Sequence, residues 1–293
     1  MALIPHQQEF ELYHYQESLC SQMVRIALAE KGFAWKSHVI ALEEVTLNGD
    51  NLSDEYLTIN PKGQVPTLVH NGEPVYDSYE IIRYLDQHDP HAGTRLIPED
   101  PGLEEVINAW ILQSSLRDDV GFGKSLGTAI PMLSSPLIKA LINRQPIWHV
   151  LRKFQRHPVP FRRIGFCAMR LTPTIPAMTL RKSVKTVAQA LASIEKALGQ
   201  SRGPYLLGAF NQADVMMMAH FHRLEDVGLG QILDWDGLPQ LRQYWQTLRA
   251  RPSYQAAVKD WEEENWRWAI KKVFGKPDES RLTALKEAIP GSG

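Results

Sequence analysis

Two domains of different class, an α/β domain followed by an all-α domain, are what this chain of 293 residues predicts. Three observations carry that reading. Strand and helix signals alternate over residues 10–87. A Pro/Gly-rich stretch, residues 88–102, interrupts the pattern. Every long amphipathic run after it has helical spacing.

Residues 10–15 are short and aromatic-rich, a strand. Residues 20–31 place Val24, Ala27 and Leu28 on one helical face, and Gly32 stops the helix. Residues 35–41 read as a second strand, and the polar, irregular stretch 47–57 as one or two helical turns. Residues 67–70 and 74–76 flank Asn71-Gly72, the strongest short hairpin signal, because both turn positions need residues that tolerate positive φ. Residues 78–87 form a helix with Ile81, Ile82 and Leu85 inward. The order β-α-β-α-β-β-α is that of a thioredoxin-like domain. Helices are expected over 103–117, 180–198, 211–227, 238–249 and 253–274, with short, proline-broken helices and loops between 121 and 178. The boundaries expected are an α/β domain over 8–90, a linker over 91–101, a helical domain over 102–275 with a basic insertion at 120–180, and a flexible, frayed tail over 276–293.

Composition excludes several classes. Hydrophobic residues are 44% and charged residues 22%, the balance of a soluble globular protein. Two cysteines, Cys20 and Cys167, cannot make a disulfide scaffold and fit a reducing, cytoplasmic setting. No signal-peptide pattern and no uncharged apolar run of spanning length is seen. The ten histidines show no ligand spacing, so no metal is expected, and no phosphate loop or dinucleotide fingerprint occurs.

Charge is unevenly distributed. From Val120 to Ile194 there are twelve Lys or Arg and no Asp or Glu, while the whole chain carries −1. Such a block faces an anionic partner: an acidic substrate, a lipid surface, or an acidic face of the same protein such as Glu262-Glu263-Glu264. A nucleic-acid motif is missing, so that partner is set aside. Trp148, Phe154, Phe161 and Phe166 can give a covered cleft apolar walls, and the same Arg/Trp/Phe mixture over residues 139–170 suits peripheral contact with anionic lipid.

The most informative stretch is Gly63-Gln64-Val65-Pro66-Thr67-Leu68-Val69, followed by Asp77-Ser78. It reads as a turn, a proline at a strand start, and a helix opening on a hydroxyl. Backbone at Val65 can pair with an extended peptide, and the helix N-terminus at Asp77 and Ser78 offers free N–H groups. A plain strand-start proline and a plain N-cap serine are the bland alternatives. Near the first strand–helix junction, Ser18 and Cys20 lie where helix N–H groups stabilise an anion; Cys20 as a small core residue is the alternative. Tyr13 and Tyr15 also carry hydroxyls, but alternation sends at least one into the core. Asn211 and Asp214 form a capping box, a folding element, and Met216, Met217 and Met218 read as core.

These motifs, in this order, resemble the glutathione transferase superfamily. The resemblance rests on Ser18-Leu19-Cys20-Ser21 running into Val24-Arg25-Ile26-Ala27-Leu28, on Gln64-Val65-Pro66, on Asp77-Ser78, on Tyr205-Leu206-Leu207-Gly208 before Asn211-Gln212-Ala213-Asp214, and on Arg251-Pro252-Ser253-Tyr254. The helix start is most similar to the maleylacetoacetate isomerase (zeta) class and to glutathione-dependent reductive dehalogenases. The long insertion resembles the ganglioside-induced differentiation-associated branch. The resemblance implies glutathione as co-substrate and a cis bond before Pro66. Val65 would pair with its cysteinyl backbone, Asp77 and Ser78 would hold its γ-glutamyl end, and Lys62 and Gln64 its glycyl carboxylate. Ser18 would donate to the thiolate, and Cys20 would form a mixed disulfide. Leu19 stands where the zeta motif has a second serine, and Asp77 where the family more often has Glu or Gln. Expected from the resemblance are a detoxifying, homodimeric transferase or dehalogenase acting on a small electrophile. A non-enzymatic glutathione-binding protein that docks through its insert is the competing class.

Overall fold

The computed structural model describes residues 3–46, 49–117, 119–172, 176–276 and 279–290, with only the backbone at Phe161. The first domain contains β1 (Phe10–His14), α1 (Leu19–Lys31), β2 (Lys36–Val39), α2 (Asp54–Ile59), β3 (Thr67–His70), β4 (Glu73–Val75) and α3 (Ser78–His88). Its sheet has the order β2-β1-β3-β4. β1 and β2 are parallel, pairing Leu12 with Ser37, while β3 runs antiparallel to β1, pairing Leu12 with Leu68. The thioredoxin-like expectation holds. Gly32 caps α1 at φ 69°, and the hairpin turn takes positive φ at both Asn71 and Gly72.

The second domain is helical: α4 (Pro101–Ser114), α5 (Leu126–Leu133), α6 (Ser135–Asn143), α7 (Ile147–Phe154), α8 (Pro160–Leu171), α9 (Ala177–Gln200), α10 (Gln212–Asp226), α11 (Pro239–Arg249), α12 (Pro252–Ala257), α13 (Glu264–Phe274) and α14 (Glu279–Glu287). The capping box of α10 forms as expected, with Asn211 N–H donating to Asp214 at 2.9 Å. Tyr244 also donates to that carboxylate, at 2.5 Å.

Two expectations fail. The helix read over 253–274 is two helices, α12 and α13, separated by a short 3-10 turn at Lys259–Trp261. Glu263 starts the second one by accepting from Trp266 N–H. The Glu262-Glu263-Glu264 run thus serves a helix N-terminus, where carboxylates complement the dipole. The frayed tail is also not seen over residues 279–287. α14 packs against α9, with Leu285 and Ile289 buried. Leu282, Leu285 and Ile289 form a helical stripe that the polar average of this stretch conceals.

α1 is the hinge of the architecture, packed on α3 in its own domain and on α10 and α12 in the other. Arg25 is 1% exposed. Its Nε donates to the Ala257 carbonyl at 2.8 Å and its Nη2 to the Gln16 carbonyl at 2.8 Å. Nearer the end of α1, Glu30 accepts from Arg251 Nε at 2.7 Å and Nη2 at 2.6 Å, and from the Ser253 hydroxyl. Buried charge of this kind is tolerable only because every polar atom finds a partner.

Candidate active site at the start of the first helix

Three chain segments meet at one end of the sheet: the β1–α1 corner, the turn before β3, and the start of α3. The turn is braced from inside. Asn51 Nδ2 donates to the Gly63 carbonyl at 2.9 Å. The Tyr56 hydroxyl and Asn60 Nδ2 both donate to the Gln64 carbonyl, at 2.6 and 2.9 Å. The Val65–Pro66 peptide is cis. With the preceding carbonyls drawn inward, the Val65 N–H and C=O have no hydrogen-bond partner among the described residues. A half-exposed backbone pair at the rim of a sheet is what an extended peptide ligand can use.

Asp77 and Ser78 open α3 as expected, with their roles shifted by one. Asp77 is the N-cap, at φ 62°, exposed, and its side chain makes no capping bond. Ser78, read as the cap, is the first helical residue and is 6% exposed. Its hydroxyl lies 3.9 Å from Met23 Sδ, a weak contact. Lys62 is exposed and Gln64 half-buried beside them.

At the β1–α1 corner Ser18 is the N-cap of α1, its Oγ accepting from Ser21 N–H at 3.3 Å. The N–H groups of Leu19 and Cys20 have no acceptor among the described residues, as expected for a first helical turn. Cys20 is half-buried. Burial pushes its thiol up; the Ser78 hydroxyl, Arg162 and Arg223 pull the other way. Burial outweighs these pulls, and nearby Asp77 adds to it, so the Cys20 thiol lies above its ordinary value. Neither Tyr13 in β1 nor Tyr15 just after it turns its ring to the site. Tyr13 stacks on His38 at 4.3 Å, and Tyr15 OH donates to Glu263 at 3.3 Å.

Residues unremarked in the sequence complete the corner. Glu17 is buried, and burial with nearby Asp226 raises its carboxyl to about 7. Its backbone carbonyl accepts from Arg223 at 2.5 Å, and its Oε1 from the Glu263 N–H at 2.7 Å. Arg223 pairs with Asp226 at 3.0 Å and lies over the Trp266 ring. The second domain thus clamps the chain immediately before Ser18. An acid next to a helix-start serine was the only sequence signal.

The basic insertion docks on the loop after β2. His157 and Glu43 are both fully buried, with His157 Nε2 3.1 Å from Glu43 Oε1. Burial lowers His157 to about 4, so its ring is neutral at pH 7. Val159 N–H donates to His157 Nδ1 at 2.9 Å, so the ring proton sits on Nε2, which faces Glu43 Oε1 without a well-aligned hydrogen bond. Lys153 donates to the Thr46 carbonyl at 2.7 Å. The acidic partner of the insertion is therefore this loop; among the described residues none of its Lys or Arg pairs with Glu262, Glu263 or Glu264. Arg162 is half-buried and lies in the electrostatic reach of Cys20, Glu44 and His157 together. Its guanidinium makes no hydrogen bond or ion pair to another described residue. Of the expected aromatic walls, Phe154 is instead buried with Ile142 and Val150 in a satellite core, Phe166 packs against that core, and Trp148 is 66% exposed. The Phe161 side chain lies outside the described residues.

Comparison with known proteins agrees with this architecture. The family model for Glutathione S-transferase, N-terminal domain, matches residues 17–88, and that for Glutathione S-transferase, C-terminal domain, matches residues 177–246. The chain belongs to the glutathione S-transferase superfamily. Residues 89–176, which hold the insertion, fall between the two matches. Maleylacetoacetate isomerase from Rattus norvegicus is 36% identical over 96 residues, 33% of this chain and 43% of that protein, so the chain spans under half of this relative. Among solved structures, the beta-etherase LigF from Sphingobium sp. strain SYK-6 superposes with TM-score 0.74 at 22% identity, covering 86% of this chain and all of that one. A theta class glutathione S-transferase from Xanthomonas axonopodis pv. citri, with glutathione bound, gives 0.58 at 19% identity, covering 86% and 98%. At these identities the structural likeness speaks for the fold.

Proposed function

We propose that the protein is a glutathione-dependent transferase whose second substrate is an anionic or aromatic electrophile. The observation that carries this is the unpaired Val65 backbone at the same end of the sheet as the open first turn of α1, where the Ser78 hydroxyl reaches Cys20. Glutathione pairs its cysteinyl backbone with Val65. Its γ-glutamyl ammonium meets Asp77, and the γ-glutamyl carboxylate meets Ser78 and the α3 N-terminus. Lys62 and Gln64 approach the glycyl carboxylate. The thiol then lies at the free N–H groups of α1, where the Ser18 hydroxyl donates to its anion. The thiolate attacks an electrophilic carbon, and the leaving group departs with its electron pair.

Cys20 extends this to reductive thiolysis. Its thiolate attacks the sulfur of a glutathionyl ring to form a Cys20–glutathione disulfide, the ring carbon leaves with the C–S electron pair and takes a proton, and a second glutathione thiolate attacks the mixed disulfide, forming glutathione disulfide and returning the Cys20 thiolate. Because burial raises the Cys20 thiol, this branch strengthens as pH rises. Turnover across halogenated aromatics, aryl ethers and an acidic cis-diene tests the proposal. Ser18→Ala should lower kcat/KM by roughly 10²–10³-fold, the cost of one lost anion donor. Cys20→Ser should stop thiolysis alone and leave glutathione affinity unchanged. Absence of turnover across the panel contradicts the enzymatic reading.

A second reading has its own observation. Trp148, Ile164, Leu171 and Met178 are 66%, 74%, 62% and 82% exposed, amid the cations of the insertion. Such a surface suits docking on anionic lipid. Salt-sensitive sedimentation with anionic vesicles, lost in a Trp148→Ser, Ile164→Ser variant, supports it; no sedimentation removes it. Homodimerisation is proposed through the exposed apolar residues Leu103, Val106, Leu112 and Leu116 of and beside α4, and sedimentation velocity checks it.

A further inference from the structure

At the end of the sheet away from Val65 and Ser78, three ligand-type side chains converge from distant parts of the chain. Glu9 precedes β1, His70 ends β3, and His88 ends α3. Glu9 Oε1 lies 3.3 Å from His70 Nε2 and 3.4 Å from His88 Nε2. All three ligand atoms lie within 4.8 Å of one another. A tetrahedral zinc ion with bonds of about 2.0–2.1 Å holds its ligand atoms roughly 3.3–3.4 Å apart. Both carboxylate edges already match, and the histidine–histidine edge is no longer than 4.8 Å.

The imidazoles are also oriented. His70 stacks on Phe10 at 4.6 Å and 23°, and His88 meets the same ring edge-on at 5.4 Å and 86°. His70 Nδ1 lies 2.5 Å from the Tyr84 hydroxyl. With Nδ1–H donated there, Nε2 keeps the lone pair that a metal needs, the arrangement that outer-shell partners impose on metal-binding histidines. The Asn71 amide nitrogen, 3.1 Å from the same Nε2, is the donor a metal has to displace.

We propose that Glu9, His70 and His88 form a binding site for zinc or a similar borderline divalent ion, with water in the fourth position. Two imidazoles and one carboxylate suit zinc, cobalt or nickel and not magnesium or calcium. The ion would tie the start of β1 to the ends of β3 and α3. Its role is structural, because the site lies at the opposite end of β1, β3 and α3 from Ser18, Val65 and Ser78. Spacing along the chain carries no sign of this trio, since the ligands come from three elements, and so a reading without metal was the expectation.

The test is calorimetric titration of the full chain, stripped with chelator, with Zn²⁺ and with Mg²⁺, beside His88→Ala and Glu9→Gln. Both positions are partly exposed, so the variants should fold. One Zn²⁺ per chain and no Mg²⁺ is expected, with affinity at least about 10–100-fold weaker in each variant. Zn²⁺ should raise Tm in the parent chain and not in His88→Ala. No saturable Zn²⁺ binding overturns the proposal. Equal binding by parent and variants also overturns it, because the ion would then sit on other histidines.

Discussion

The two walls of the proposed cleft are held by different means. The wall made by the β1–α1 corner and the Val65 turn is fixed through main-chain carbonyls. Arg25 takes those of Gln16 and Ala257, Arg223 takes that of Glu17, and Asn51, Tyr56 and Asn60 take those of Gly63 and Gln64. The wall made by the insertion adds a buried side-chain pair, His157 against Glu43, to carbonyl contacts from Lys153 to Thr46 and from Gln145 to Glu43. The first arrangement sets backbone position tightly and leaves chosen N–H groups unpaired. The second sets the insertion against the loop after β2 through His157, Lys153 and Gln145 and leaves the Arg162 guanidinium uncommitted. The difference suggests a division of labour, with the first wall for the common thiol and the second for a substrate that differs between relatives.

The largest expected effect strikes the first wall. Arg25→Ala removes four contacts of a buried guanidinium and leaves carbonyls without donors, so it should cost about 3–5 kcal/mol in urea unfolding. A loss under about 1 kcal/mol would mean that the corner is held by apolar packing alone.

A pH-dependent effect comes next. Glu17 titrates near 7 in the fold and near 4.5 when unfolded. Between these values the folded chain holds a proton that the unfolded chain has lost, so stability falls as pH rises through that window. Glu17→Gln removes the loss. It should be nearly neutral at pH 4.5 and stabilising by at most about 3 kcal/mol at pH 8, the full shift at 1.36 kcal/mol per pH unit. A difference independent of pH contradicts the assignment.

His157→Ala probes the second wall and should cost about 1–3 kcal/mol by leaving a cavity where a fully buried ring packs, while leaving glutathione affinity within about twofold. The sign of its pH dependence is opposite to that of Glu17. His157 is neutral in the fold down to about 4, but protonates near 6.5 when unfolded. Its contribution is complete above pH 6.5 and is lost as pH falls toward 4. The smallest effect is kinetic. Arg162→Ala should raise KM for an anionic electrophile about tenfold, roughly 1.4 kcal/mol, with KM for glutathione unchanged. Equal shifts in both constants would place Arg162 on the first wall.

The same contrast explains what could be read from the chain. Features that depend on neighbours in sequence were legible: Gly32 as a C-cap, Asn71-Gly72 as a turn, the Asn211–Asp214 box, and the Val65-Pro66 turn with Asp77-Ser78. Each is a local rule of backbone geometry. Features that depend on distant pairs were not. His157 and Glu43 are over a hundred positions apart, and nothing near either names the other. Phe154 is core and not a cleft wall because α7 and α8 fold on each other. α14 escaped notice because three apolar residues in a polar stretch are a weak signal until α9 is there to cover them. Cys20 shows the limit of local reading at a site. Its place at a helix start suggests an acidic thiol, and burial moves it the other way.

Calorimetric titration of the chain with reduced glutathione, beside Ser78→Ala, tests the central claim most directly. The account predicts one site per chain with a micromolar-to-millimolar Kd, weakened about tenfold in the variant by loss of one hydrogen bond to a charged group. No heat of binding, or the same Kd in both proteins, would contradict a thiol site built on Val65 and Ser78.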